Sequence, residues 1–158
     1  VMALNFTQKE RMLLEDQKAH EQVCVDKYTT YTNQAQDQQL KSLFQGYAAQ
    51  EQQHLNSINQ MLNGQLPPTG QGQQQQSQQQ TPPQPSSAPG GMVNQNDATL
   101  CNDMLMTEKY VSAAYNTSIF EFRDTNVRQV LNHIQKEEQQ HGEGIFHYMQ
   151  NNGMYNPQ

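Results

Sequence analysis

The sequence predicts an all-α protein, an antiparallel four-helix bundle made of two repeated helical hairpins with a long disordered crossover between its second and third helices. Three observations predict it. Apolar residues recur at steps of three and four in both flanks of the chain. The two flanks repeat one another at a fixed offset. The stretch between them is rich in Gln and Pro and has no apolar period.

The elements follow in order. Thr7-Gln8-Lys9-Glu10 is a capping-box pattern and opens a first helix that runs to about Ala35. Asp37 is placed to cap a second helix, which ends near Asn63 with Gly64 behind it. Asn96 or Asp97 opens a third helix that runs to about Arg123, and Asp124 or Thr125 opens a fourth that stops before Gly153. Connections of a few residues make each consecutive pair an antiparallel hairpin. Residues 1–64 then form the first hairpin, 65–95 the crossover and 96–158 the second hairpin, and both hairpins share one domain.

Six of the seven prolines lie in the crossover: Pro67, Pro68, Pro82, Pro83, Pro85 and Pro89. So polar a stretch buries too little apolar area to offset the entropy of ordering, so disorder is expected. At about 3.1 Å per residue in polyproline form it reaches well over ~60 Å, enough to run the length of a bundle. It reads as a flexible spacer, with a supply of Gln for isopeptide cross-links as the alternative.

Adding 87 to a residue number carries the first hairpin onto the second without a gap. Leu13 falls on Leu100, Asp16 on Asp103, Glu21 on Glu108, Tyr28 on Tyr115, Thr30 on Thr117 and Asp37 on Asp124. Glu51-Gln52-Gln53-His54 falls on Glu138-Gln139-Gln140-His141, and Ile58 on Ile145. Two hairpins with one apolar stripe apiece hide those stripes by packing face to face.

Ionisable groups interrupt the stripes. The second helix reads Leu40, Phe44, Tyr47, Glu51, His54, Ile58, Met61, and the fourth Val127, Leu131, Ile134, Glu138, His141, Ile145, Tyr148. The first reads Leu14, Glu21, Cys24 or Val25, Tyr28, Tyr31, Ala35, and the third Cys101, Glu108, Val111, Tyr115, Ile119, Phe122. Glu21, Glu51, His54, Glu108, Glu138 and His141 therefore point inward, and no Lys or Arg lies on the stripes to neutralise them. Each unpaired buried ion costs several kcal/mol even after relaxation. A pair of metal ions would supply the missing charge. One Glu from each of two helices plus Glu-x-x-His from the other two is the donor set of dinuclear carboxylate bundles. Oxygen and imidazole donors suit Fe or Mn, and Zn also fits. A bundle that keeps these groups half-solvated or partly protonated is the plainer alternative.

Other residues are read more simply. Cys24 and Cys101 are small buried hydrophobes. Tyr28 and Tyr115 pack in the core with satisfied hydroxyls, or stand beside the ions. His20, His133 and His147 lie off the stripes, and Glu137 and Glu143 fall on a solvated face. Asp16 and Asp103 repeat, and a supporting bond to a ligand histidine is the one role they suggest. The formal charge of -6 argues against nucleic acid and against an anionic membrane surface. No apolar run approaches the roughly 20 residues that span a bilayer. The N-terminal residues show no basic-then-apolar signal, so an intracellular protein is expected.

The donor pattern resembles the ferritin-like superfamily of bacterioferritins, rubrerythrins and manganese catalases. That resemblance makes Glu51 and Glu138 bridging carboxylates, Glu21 and Glu108 terminal ones, and His54 and His141 one imidazole per metal. A closer likeness is to the spore coat F protein family. It rests on Asp103, Glu108 and Tyr115, on Asp124-Thr125-Asn126-Val127-Arg128, and on the ending from His147-Tyr148-Met149 through Gly153-Met154-Tyr155 to Pro157. It implies synthesis in the mother cell and assembly into the spore coat with other coat proteins or with copies of itself. Three functions are weighed: a structural coat protein stiffened by a dimetal site, a metal-dependent oxidoreductase that removes peroxide or oxidises ferrous iron, and metal storage, to which the crossover is an obstacle.

Overall fold

The structure, a computed structural model, describes residues 4–68 and 93–154. Its four helices among these residues are α1 (Gln8–Gln34), α2 (Gln38–Leu62), α3 (Gln95–Glu121) and α4 (Thr125–Asn151). The crossover between 69 and 92, and the end of the chain from Tyr155, lie outside the described residues. The disorder expected of the crossover, and the last part of the C-terminal signature, fall there.

Local chemistry sets the helix ends. Thr7 and Glu10 form the reciprocal capping box at the start of α1. At the start of α4 the Asp124 side chain accepts from the N–H groups of Asn126 and Val127. Gly64 and Gly153 follow α2 and α4 with φ of 89° and 71°, a left-handed turn that costs glycine nothing. Two expectations shift. Helix α3 starts at Gln95, earlier than Asn96 or Asp97, because Asn94 is its cap and accepts from the Asp97 N–H. Asp37 occupies the cap position of α2 but makes no capping bond. Its carboxylate instead accepts the Tyr148 hydroxyl at 2.6 Å.

End-to-end contacts give the directions. Leu4, just before α1, donates to the Gly64 carbonyl just after α2, so α1 and α2 are antiparallel. The Tyr148–Asp37 bond joins the end of α4 to the start of α2. Two buried acids join α1 and α3 reciprocally. Asp97 accepts the backbone N–H groups of Gln36 and Asp37 in the α1–α2 turn, both at 2.9 Å. Glu10 accepts the backbone N–H of Arg123 in the α3–α4 turn at 3.0 Å and pairs with its guanidinium. Asp97 is Glu10 displaced by 87, and Arg123 is Gln36 displaced by the same step. The two hairpins therefore clasp each other with pseudo-twofold symmetry.

The apolar core is divided in two. One cluster holds Leu14, Cys24, Ile58, Met61, Val111, Tyr115, Val127, Leu131 and Ile134. The other holds Tyr28, Leu40, Phe44, Tyr47, Leu100, Cys101, Met104, Ile145 and Tyr148. Each draws on all four helices, so both hairpins bury their stripes together. Burying one such large side chain contributes about 1.5–3 kcal/mol. Along every helix the predicted inward-facing acid or histidine falls within or between these two groups.

Candidate metal centre

All six predicted ligands converge. Glu21, Glu51 and Glu138 are fully buried, Glu108 and His54 are 2% and 3% exposed, and His141 1%. They form two overlapping quartets, Glu21–Glu51–His54–Glu138 and Glu51–Glu108–Glu138–His141, whose nearest donor atoms all lie within 4.8 Å of one another. Glu51 and Glu138 belong to both quartets, which is where a bridging group would stand.

Hydrogen bonds on the outer side orient the inner donors. The Nε2 of His54 lies 2.7 Å from Glu137 Oε1, and the Nε2 of His141 lies 2.5 Å from Gln50 Oε1. Each partner oxygen accepts, so each Nε2 carries the proton and the inner Nδ1 is the atom left to bind. The Nδ1 of His54 faces Glu51 at 3.0 Å, Glu138 at 3.4 Å and Glu21 at 3.6 Å. The Nδ1 of His141 faces Glu51 and Glu108, both at 3.1 Å, and Glu138 at 3.4 Å. A lone pair set against three carboxylates is repulsive unless positive charge lies between them.

The tyrosines act across the helix pairs. Tyr28 on α1 donates its hydroxyl to Glu108 on α3 at 2.6 Å, and Tyr115 on α3 donates to Glu21 on α1 at 2.5 Å. Each therefore packs in the core and also orients an acid. Both hydroxyls point at Oε2, which leaves Oε1 of Glu21 and of Glu108 with no hydrogen-bond partner, and neither oxygen of Glu138 has one. Four buried carboxylate oxygens without a donor are unusual, since such atoms nearly always find one.

Among protein groups alone, protons take the part of counter-ions. Burial disfavours charge on Glu51 and Glu138, and the neighbouring acids add to it, so both carboxyls ionise well above their usual range. Burial opposes charge on Glu21 too, but His54 outweighs it and holds that carboxyl at about 2. His141 is raised to about 9, burial being overcome by Glu108. Oxygen and imidazole donors with displaceable protons fit a pair of Fe or Mn ions, and Zn as well.

Some expectations change. Glu137 is not on a solvated face: it is 9% exposed and braces His54 from behind, with His133 3.3 Å away on its other side. Asp103 braces no histidine. It pairs with Lys27 at 2.9 Å and accepts the Tyr31 hydroxyl, while Asp16 is exposed. Of Cys24 and Val25, Cys24 takes the core position. Burial pushes the Cys24 thiol far above its usual range and Cys101 to about 12, so both are inert packing groups. Gln50 had no assigned role, yet it stands one residue before Glu51 just as Glu137 stands before Glu138, and the 87-residue repeat marks the pair as equivalent.

A cavity of about 620 Å³ lies between α3 and α4, lined by Leu105, Ala113, Gly142 and Phe146 among others, and reaches Glu108 and Glu138. No helix among the described residues is long and apolar enough to cross a membrane. The Coat F domain matches residues 96–158, which take in nearly all of α3 and the whole of α4. No curated protein and no solved structure matches the chain.

Proposed function

We propose that this chain is a structural protein of the bacterial spore coat whose ferritin-like bundle holds two metal ions, Fe or Mn, on Glu21, Glu51, His54, Glu108, Glu138 and His141. The Coat F match over α3 and α4 supports the coat role, with synthesis in the mother cell and assembly with other coat proteins or with itself. The observation that carries the metal reading is the set of four buried carboxylate oxygens with no donor, facing two imidazole nitrogens whose protons are turned outward. Ions bound there stabilise the folded state by mass action, and cross-brace all four helices.

Metal analysis of protein purified without chelator tests this reading. About two ions per chain are expected, and the Glu51→Ala/Glu138→Ala double variant should carry none. Full loading of that variant would refute the ligand assignment. Recovery of the protein outside the spore coat fraction would refute the coat role.

The cavity beside Glu108 and Glu138 favours a second reading, a metal-dependent oxidoreductase acting on peroxide or ferrous iron. Metal ions would supply the Lewis acidity and redox capacity, while the chain holds the donors and admits the substrate. Loaded protein that neither consumes peroxide nor oxidises ferrous iron would exclude it.

A further inference from the structure

The two halves of the cluster, equivalent in the repeat, are built differently. Behind His54 stands the carboxylate of Glu137, and behind His141 the neutral amide oxygen of Gln50. Beside His141 the Tyr47 ring stacks at 4.1 Å, and the position equivalent to Tyr47 beside His54 is Ile134. Buried Pro67 and its neighbour Pro68 line the small space beside His54 and Glu137. On the other half the 620 Å³ cavity runs in from the surface to Glu108 and Glu138. Its lining includes Gly142, and the equivalent residue in the first hairpin is Leu55, which is 5% exposed. A buried four-carbon side chain thus stands on one face where the other has none.

We infer that the two ion positions are unequal: the one held by Glu21 and His54 fills first and stays closed, and the one held by Glu108 and His141 fills second and is exchangeable through the cavity between α3 and α4. This rests on the dimetal reading above. A carboxylate behind a ligand imidazole makes that nitrogen a better donor, and loss of such a support typically weakens a metal about 10–100-fold. An amide oxygen fixes the same tautomer without adding charge. Of the two acids the cavity meets, Glu138 belongs to both quartets and Glu108 to the second alone, so a small ligand entering there comes nearer to the second ion.

Calorimetric titration of the metal-free full chain with Co(II) tests the order, and azide added to the Co(II)-loaded protein, followed by visible absorption, tests the access. Two resolved steps are expected, about 10–100-fold apart in affinity. Glu137→Gln should weaken the tighter step by about the same factor and bring the two together, whereas Gln50→Glu should tighten the weaker step. The loaded wild type should bind azide at one ion, and Gly142→Leu should keep two Co(II) per chain but lose the azide spectrum. Two equal steps that Glu137→Gln leaves unchanged overturn the inference while the dimetal reading stands. Azide bound undiminished by Gly142→Leu overturns the route through the cavity. A wild type that takes up no Co(II) overturns the dimetal reading itself, and the inference with it.

Discussion

Replacing Glu138 by Gln should act with opposite sign on the metal-free and metal-loaded protein. Glu138 belongs to both quartets, and neither of its oxygens has a hydrogen-bond donor. With metal at about a hundred times its dissociation constant, each ion adds about 2.7 kcal/mol, so two add roughly 5 kcal/mol. For a chain of this size 1 kcal/mol moves the melting temperature by about 2–4 °C, which makes the metal-induced rise roughly 10–20 °C. Glu138→Gln removes a donor from both ions and should abolish most of that rise. Glu21→Gln touches one quartet, the tighter one, and should remove at least half of it. In the metal-free protein the sign reverses. Burial and the three neighbouring acids raise the Glu138 carboxyl above its ordinary 4.5. A buried acid raised in this way gives stability that is complete below its unfolded pKa and is lost as pH rises toward the folded one. The metal-free Glu138→Gln variant should therefore match or exceed the wild type, with a gap that widens above pH 4.5. Differential scanning calorimetry with and without Mn(II), at several pH values, reads both effects. A Glu138→Gln variant that keeps the full metal-induced rise, or that is less stable than wild type without metal, would refute the reasoning.

Three further outcomes are expected. Asp97→Ala strips the acceptor from two backbone N–H groups of the α1–α2 turn, and charge-assisted bonds of this kind contribute about 1.5–3 kcal/mol each; urea unfolding should show a loss of about 3 kcal/mol or more, and a loss under about 1 kcal/mol would remove the turn from the list of what fixes the fold. Glu10 is held at about 2, burial being outweighed by Arg123, so its contribution is complete above pH 4.5 and fades as pH falls toward 2; acid titration followed by circular dichroism should find Glu10→Gln less stable than wild type at neutral pH by about 1–2 kcal/mol, with the difference gone in acid. A methyl group on Gly144 would overlap the Tyr47 hydroxyl, so Gly144→Ala should cost about 1–3 kcal/mol, and Tyr47→Phe in the same chain should recover most of it, a coupling that thermal melts of the four variants would measure.

The periodicity of the sequence was sufficient for the helices and for the six inward groups, because a 3.6-residue period assigns a face to every position. Glu51 and His54, one turn apart on the same stripe as Phe44 and Ile58, had nowhere to point but inward. Positions at the edge of a stripe were harder. Glu137 adjoins Glu138 and reads as solvated by its angle alone, yet α2 packs against that edge and brings His54 over it. A single helix does not reveal which flank its neighbour covers. The side-chain choices of Asp37 and Asp97 were hidden for a related reason. Both have the composition of helix starts, and a carboxylate at such a place can turn to its own helix or to a neighbouring one. Asp37 went to Tyr148 and Asp97 to the opposite turn, choices fixed by the meeting of segments about 60 to 110 residues apart. The repeat holds a signal for these positions as well, since Glu10 and Asp97, like Gln50 and Glu137, are equivalent under it.

The reciprocal hold of Glu10 and Asp97 bears on what the crossover is for. Each hairpin carries the acid that satisfies the other's turn, and each apolar cluster takes side chains from both. Affinity between the halves therefore resides in the helices, and a covalent connection would add to it only by raising their local concentration. Beyond Pro68, which lies beside His54 and Glu137, its length and composition should then be free to drift without disturbing the cluster of acids and imidazoles. Proteolytic nicking of the segment should leave two fragments that co-migrate as one folded particle.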